Sequence, residues 1–203
     1  MEFSQRFRGF LPVVLDLETG GFNANINPVL EVACVLLDWQ DDHLTTIGEH
    51  CWSVRPFSGA VVDPASLKVT GIDLEDPERA AVSDREALTN FFKVVRTELK
   101  RTGCHRAVMV AHNASFDRDF LNTAAERASV KRSPFHPFTT IDTAALSAVS
   151  YGHTVLREAC VRAGIGFDTE QAHNALYDAR KTAALFCQIV NSTPLKISED
   201  ADA

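Results

Sequence analysis

Apolar and polar positions along this chain follow two periods in turn. Pro12 to Leu17 has the apolar weight and length of a buried strand, and Gly20-Gly21 closes it, since glycine tolerates the positive φ of a turn. Val29 to Leu37 predicts a second strand and Thr46 to Val54 a weaker third, and their short connections imply an antiparallel meander. After a turn-rich stretch from Pro56 to Pro77 the period becomes helical. Ser83 and Glu86 have capping-box spacing ahead of Leu88, Phe91, Phe92, Val95 and Leu99, an apolar stripe. Ala107 to Ala111 predicts a fourth strand, followed by a helix from about Ser115 to Val130 and a proline-punctuated loop, SPFHPF. Phe138 to Ile141 predicts a fifth strand. Helices follow near Asp142 to Val149, Val155 to Ala163 and Asn174 to Val190, the last with the stripe Leu176, Ala179, Ala183, Phe186 and Val190.

A meander feeding into alternating strands and helices implies one mixed sheet covered by helices, an α/β architecture. Residues 6–191 read as a single domain, while residues 192–203, ending SEDADA, have no apolar period and are expected to form a disordered tail. With 203 residues, 45% of them hydrophobic, the chain is expected to fold alone around its own core.

Charge and cysteines narrow the setting. A formal charge of -7 argues against coating nucleic acid or anionic membrane by bulk charge, so a polyanionic partner requires a local basic patch. Cys34, Cys51, Cys104, Cys160 and Cys187 are odd in number and widely spaced, which suits reduced thiols and a cytoplasmic location. The N-terminus offers no signal sequence, and no apolar stretch approaches the ~20 residues of a membrane span.

Carboxylates then appear where a core would not place them. Asp16 and Glu18 lie two apart in a strand, so both point to one face. Crowded like charges lose hydration and repel unless a cation compensates them, although a D-x-E pair taken alone suits a solvated strand end better. Asp117 opens the helix after the fourth strand, which places it above a sheet end; an acid favoured by the helix dipole would sit there too, and Asp119 fits that description better. His173 and Asp178, five residues apart, would lie about 140° apart around a helix. Asp178 therefore belongs to the final helix, while His173 precedes the expected N-cap Asn174 and can swing in from the loop. The other histidines (His43, His50, His105, His112, His136, His153) read as surface or structural, and Asp142-Thr143 as a helix cap. Glu31, inside a strand, is the least explained charge.

In chain order, D-x-E-T-G at Asp16 to Gly20, H-N-A-x-F-D at His112 to Asp117 and H-x-x-x-x-D at His173 to Asp178 resemble the DEDDh 3′-5′ exonuclease family. The stretches RFRGFLPVVLDLETGGFN, AAERASVKRSPFHPF and EQAHNALYDARKTAALFCQIVN carry the likeness to one branch of that family from Arg6 to Asn191. The resemblance implies an RNase H-like mixed five-stranded sheet flanked by helices, with the 6–191 unit as the exonuclease domain. It implies a homodimer that trims single-stranded 3′ ends of transfer and other stable RNAs to 5′-mononucleotides. Asp16, Glu18, Asp117 and Asp178 would hold two Mg²⁺ ions, with Mn²⁺ an alternative, and His173 would serve as general base.

The same resemblance assigns Phe22, Phe116 and Phe138 to base stacking, although core packing competes for each. It assigns Arg6, Arg8, Lys100, Arg106, Lys131 and Arg132 to a basic patch remote from the subunit's own active site and serving the partner's; singly, each also suits a solvated surface. The branch has a glutamate and a phenylalanine where this chain has Ala65 and Val69, so its grip on the terminal base should differ. Two other readings stay open: a single-stranded DNA exonuclease of the proofreading type, and a scaffold that binds nucleic acid without cleaving it.

Overall fold

The computed structural model describes residues 2–3 and 6–194; of the 192–203 tail, only Ser192 to Pro194 fall within the described residues. Five strands form one sheet in the order β3-β2-β1-β4-β5. β1 (Phe10–Thr19), β2 (Val29–Gln40) and β3 (His43–Ser53) make the expected antiparallel meander, and β4 (Arg106–Ala111) and β5 (Phe135–Asp142) run parallel to β1.

The third strand starts earlier than the apolar pattern predicts. Asp41 and Asp42, both at positive φ, make a two-residue turn that pairs Gln40 directly with His43, and ladder hydrogen bonds then carry polar residues into the strand. β5 also begins early: the expected SPFHPF loop is largely strand, and Phe138 lies in β5 and not in a loop. Pro137 is tolerated because β5 is an edge strand.

Helices cover both faces. α1 (Pro64–Thr70) occupies the stretch read as turns, with Asp63 accepting a hydrogen bond from the Ala65 N–H and proline at the first helical position. α2 (Asp84–Thr102) starts at Ser83, whose hydroxyl accepts from the Glu86 N–H, and buries Leu88, Phe91, Phe92 and Val95. Its face of the sheet carries Trp52 and Phe135, whose rings lie 6.0 and 5.6 Å from that of Phe91. α3 (Ala114–Arg127) connects β4 to β5 beside α2. α4 (Thr143–Tyr151) and α5 (Leu156–Arg162) lead to α6 (Ala175–Ser192), which lies across β1, β2 and β3. Asn174 caps α6 as expected, its side chain accepting from the Tyr177 N–H. All five cysteines are free, with Cys34, Cys160 and Cys187 buried.

This arrangement gathers three chain segments at one end of the sheet. β1 and β4 are parallel, so the carboxyl end of β1 lies beside the turn from β4 into α3, and Asp178 in the first turn of α6 lines the same cleft.

Candidate active site

Strand alternation sends Asp16 and Glu18 to the sheet face that α6 covers, while Leu15 and Leu17 enter the core on the other. Glu18 is 8% exposed and Asp117 4%. Asp117 is held by a long-range contact in which the Leu17 backbone N–H donates to its Oδ1 at 3.2 Å. One backbone group between the two β1 acids thus fixes the acid from α3.

The turn carrying Asp117 is anchored from below. Asn113 precedes α3 in a left-handed conformation, φ 68°. Its N–H and that of Ala114 donate to the two carboxylate oxygens of Asp142, at 3.2 and 3.1 Å. Asp142 also caps α4 by accepting from the Ala144 N–H at 2.8 Å, so the expected cap is a clamp joining β5, α4 and the first turn of α3. His112, expected to be surface or structural, has both ring nitrogens engaged, Nδ1 with the Thr143 hydroxyl and Nε2 with the Thr154 carbonyl. Burial lowers its pKa.

His173 also has positive φ, 65°, and that turn resolves the angular problem posed by its spacing from Asp178. The loop doubles back, and the His173 N–H donates to Asp178 Oδ2 at 3.0 Å. Ligand atoms of Glu18, His173 and Asp178 all lie within 4.8 Å of one another. Asp178 Oδ1 is buried and has no hydrogen-bond partner.

Electrostatics set these acids apart from ordinary surface carboxylates. Burial, reinforced by Asp117, Glu18, Asp178 and Glu31, holds Asp16 well above the usual carboxylate range. Burial and then Asp178, Glu31 and Asp117 push Glu18 up to about 9. Asp117 is pushed up to about 7 by burial against the opposing pull of its backbone donors, and burial raises Asp178 as well. No lysine or arginine forms an ion pair with any of the four among the described residues. Packed acids without a compensating cation, one oxygen unpartnered, and an all-oxygen donor set fit a hard divalent ion. Glu31, opposite Glu18 in the sheet, is half-buried and accepts a hydrogen bond from the Ala175 backbone, near the start of α6.

Around the acids lies a cleft of about 480 Å³. Phe22, 86% exposed, stands at its mouth with its ring 6.2 Å from that of Phe116. Opposite them α1 contributes Ala65, Ser66, Val69 and Thr70. Gly20-Gly21 is required by close packing: a Cβ at Gly21 would lie 2.5 Å from Asn27, and one at Gly20 2.8 Å from Pro28. Asn27 in turn donates to the Val61 carbonyl, and the Asp63 N–H donates to Gly20, so the Phe22 loop and α1 are fastened together.

Of the substrate candidates, Phe22 and Phe116 line this cleft. Phe138 does not; it is 81% exposed on β5, with its ring 6.1 Å from that of His136. The basic candidates belong to the other end of the sheet: Arg6 and Arg8 lead into β1, Arg106 opens β4 opposite Phe10, Lys100 is near the end of α2, and Lys131 and Arg132 precede β5. Sequence reasoning missed Ser66 and Thr70 with their helix, for which Asp63-Pro64 is a legible N-terminal signal. It also read His112 as surface or structural and gave Asn113 no role of its own, although both line the cleft.

Acids from β1, α3 and α6 meet a loop histidine at the end of a mixed sheet, and the family match makes the chain an exonuclease, a hydrolase of phosphodiester bonds. Residues 13–186 match the family model RNase_T, described as exonuclease. Ribonuclease T of Pectobacterium atrosepticum is 55% identical over 189 residues, covering 93% of this chain and 85% of that protein. Ribonuclease T of Escherichia coli K12 is 55% identical over 190 residues, covering 92% and 87%. The chain belongs to the RNase T exonuclease family.

Solved structures share the RNase H-like fold. The nuclease domain of 3'hExo, a DEDDh family member bound to rAMP, has a TM-score of 0.70 and 20% identity, covering 93% of this chain and 96% of that one. E. coli Exonuclease I in complex with a dT13 oligonucleotide has a TM-score of 0.70 and 16% identity, covering 90% and 41%. No helix among the described residues is long and apolar enough to cross a membrane.

Proposed function

We propose that this protein is a 3′ to 5′ exoribonuclease that trims single-stranded 3′ ends of transfer and other stable RNAs, releasing 5′-mononucleotides, as a cytoplasmic homodimer using Mg²⁺. The convergence of Asp16, Glu18, Asp117 and Asp178 with His173 in one cleft carries this reading. The relatives named ribonuclease T support RNA as substrate.

The four carboxylates would hold the divalent ions, which supply charge neutralisation and Lewis acidity toward the phosphodiester. Phe22 and Phe116 present aromatic surface on which the terminal bases stack and orient. His173 accepts the proton of the attacking water. Oxygen from water bonds to phosphorus, the bond to the upstream O3′ breaks, and the departing O3′ takes a proton from solvent, so the shortened strand keeps a 3′-hydroxyl. Ala65 and Val69 leave part of the cleft lined by small aliphatic groups, so the terminal base is held chiefly from the Phe22 and Phe116 side.

The decisive experiment follows nucleotide release from 3′-labelled RNA and DNA of matched sequence, with and without chelator. Chelator-sensitive release, faster from RNA, is expected. Faster release from DNA would establish the proofreading-type reading, and binding without release the scaffold. Sedimentation of the same preparation checks the homodimer.

A further inference from the structure

The final helix carries a buried phenol that the proposed chemistry does not use. Tyr177 sits in the first turn of α6 beside Asp178, and 7% of it is exposed. A buried tyrosine hydroxyl requires a hydrogen-bond partner, and here the partner is backbone: the Asp168 N–H donates to the Tyr177 hydroxyl oxygen. The ring is packed as well. Phe167 meets it edge-on with 5.3 Å between centroids, and Lys181, one turn further along α6, holds its Nζ 5.0 Å from the ring centroid. The same ammonium donates to the Gly166 carbonyl. Tyr177 and Lys181 therefore grip Gly166, Phe167 and Asp168 in succession.

These three residues lead into the loop that bears His173. His173 is exposed and its backbone is left-handed, so burial does not fix it. Its N–H donates to Asp178 Oδ2 at 3.0 Å. The loop is thus pinned twice to neighbouring residues of one helical turn, at Asp168 by Tyr177 and at His173 by Asp178. Asp168 also braces the span between the pins: its Oδ1 accepts from the Glu170 N–H at 3.0 Å and its Oδ2 from Gln171 Nε2 at 2.9 Å. A short segment fixed at both ends has little conformational freedom left to lose.

The two pins differ in what else they do. Asp178 belongs to the acid cluster and lines the cleft, whereas Tyr177 is not among the lining residues. Removing the Tyr177 hydroxyl therefore loosens the loop and leaves the donor set for the ions intact. Proton transfer needs the base within about 2.6 to 3.2 Å of the water, and a displacement of about 1 Å caused from a distance can cost about 10²-fold in rate.

We propose that Tyr177 is a positioning residue for the reaction: its hydroxyl anchors Asp168 and so holds the loop that presents His173 to the attacking water. This rests on the exoribonuclease reading with His173 as general base.

The test is a double-variant cycle. kcat and KM on single-stranded RNA are measured with saturating Mg²⁺ for the wild type, Tyr177→Phe, His173→Ala and the two combined. Phenylalanine keeps the ring against Phe167 and Lys181 and removes only the acceptor. Tyr177→Phe is expected to lower kcat about tenfold, with KM and calorimetric Mg²⁺ affinity within about twofold of the wild type. Because the loss is routed through His173, adding Tyr177→Phe to His173→Ala should slow the enzyme no further. An unchanged kcat for Tyr177→Phe, or a second loss of the same size in the combined variant, overturns the proposal.

Hydrogen exchange reads the anchor without turnover. In the Mg²⁺-loaded protein the Asp168 amide should exchange slowly in the wild type and much faster in Tyr177→Phe, while the α6 amides beyond Asp178 keep their protection. An Asp168 amide exchanging at the unprotected rate in the wild type overturns the anchor, whether or not the variant folds. Equal acceleration along the whole of α6 would mean that the hydroxyl supports the fold at large, and overturns it too. Wild type that releases no nucleotide from RNA, or His173→Ala as fast as the wild type, would instead overturn the underlying reading.

Discussion

At the residue scale, the proposed mechanism divides labour between groups that hold charge and one that moves a proton. Asp16→Asn removes charge from the centre of the cluster and should nearly abolish nucleotide release while weakening divalent-ion binding, measured by calorimetry. His173→Ala should lower kcat by roughly 10²- to 10⁴-fold, the usual span for losing a general base, and leave ion binding largely intact. Equal loss of ion binding in both variants would make His173 a ligand and not a base, an outcome its closeness to Glu18 and Asp178 makes worth measuring.

The raised carboxylates also predict how stability changes with pH. In chelator, Glu18 titrates near 9 in the folded protein and Asp117 near 7, against ordinary values of 4.5 and 3.8. Between those limits the native state holds protons that the unfolded chain has released, so stability falls as pH rises. The contribution is complete below about pH 4 and lost as pH passes through 7 and then 9. Thermal melting of the chelated protein should therefore decline across this window, and added Mg²⁺ should raise the melting temperature more at pH 8 than at pH 5. A melting temperature that rises steadily through the window in chelator would contradict the buried, uncompensated cluster.

At the element scale, the active site depends on a few inter-element fastenings. Asp142 caps α4 and holds the two N–H groups that open α3. Asp142→Ala leaves those donors without a charged acceptor and should cost about 2 kcal/mol or more by denaturant unfolding. Activity should fall further than stability alone explains, because Asp117 rides on that turn. Asp142→Asn, which retains an acceptor oxygen, should recover part of both.

These fastenings also mark where the sequence ceases to be legible. The strand and helix periods of β1, β2, α2 and α6, and the caps Ser83 and Asn174, are local properties, readable from neighbours in the chain. So are Asp16 and Glu18 on one strand face. α1 is short and lacks a fully buried residue, so it leaves no apolar period to read. The starts of β3 and β5 depend on ladder pairing with strands distant in sequence, and polar residues or Pro137 hide them. Phe138 presents the same difficulty: its position relative to the cleft is set by the pairing of β5 with β4, which no local pattern encodes.

For the whole molecule, the governing feature is a negative chain that must hold a polyanion. With a formal charge of -7 and a cluster of acids at the proposed reaction centre, long-range attraction has to come from the opposite end of the sheet. Lys131 and Arg132, in the connection between α3 and β5, belong to that end and make no side-chain ion pair among the described residues. Neutralising both as Lys131→Gln with Arg132→Gln leaves the acid cluster untouched. If each meets a phosphate, RNA binding in chelator, followed by fluorescence anisotropy across a salt series, should weaken, and the slope of log K against log salt should flatten by about 1.4, or 0.7 per contact. Weaker binding with an unchanged slope would mean that the two residues shape the connection without touching the strand. Dinucleotide turnover separates the cases again, since a substrate that ends within the active-site cleft cannot reach charges at the far end of the sheet.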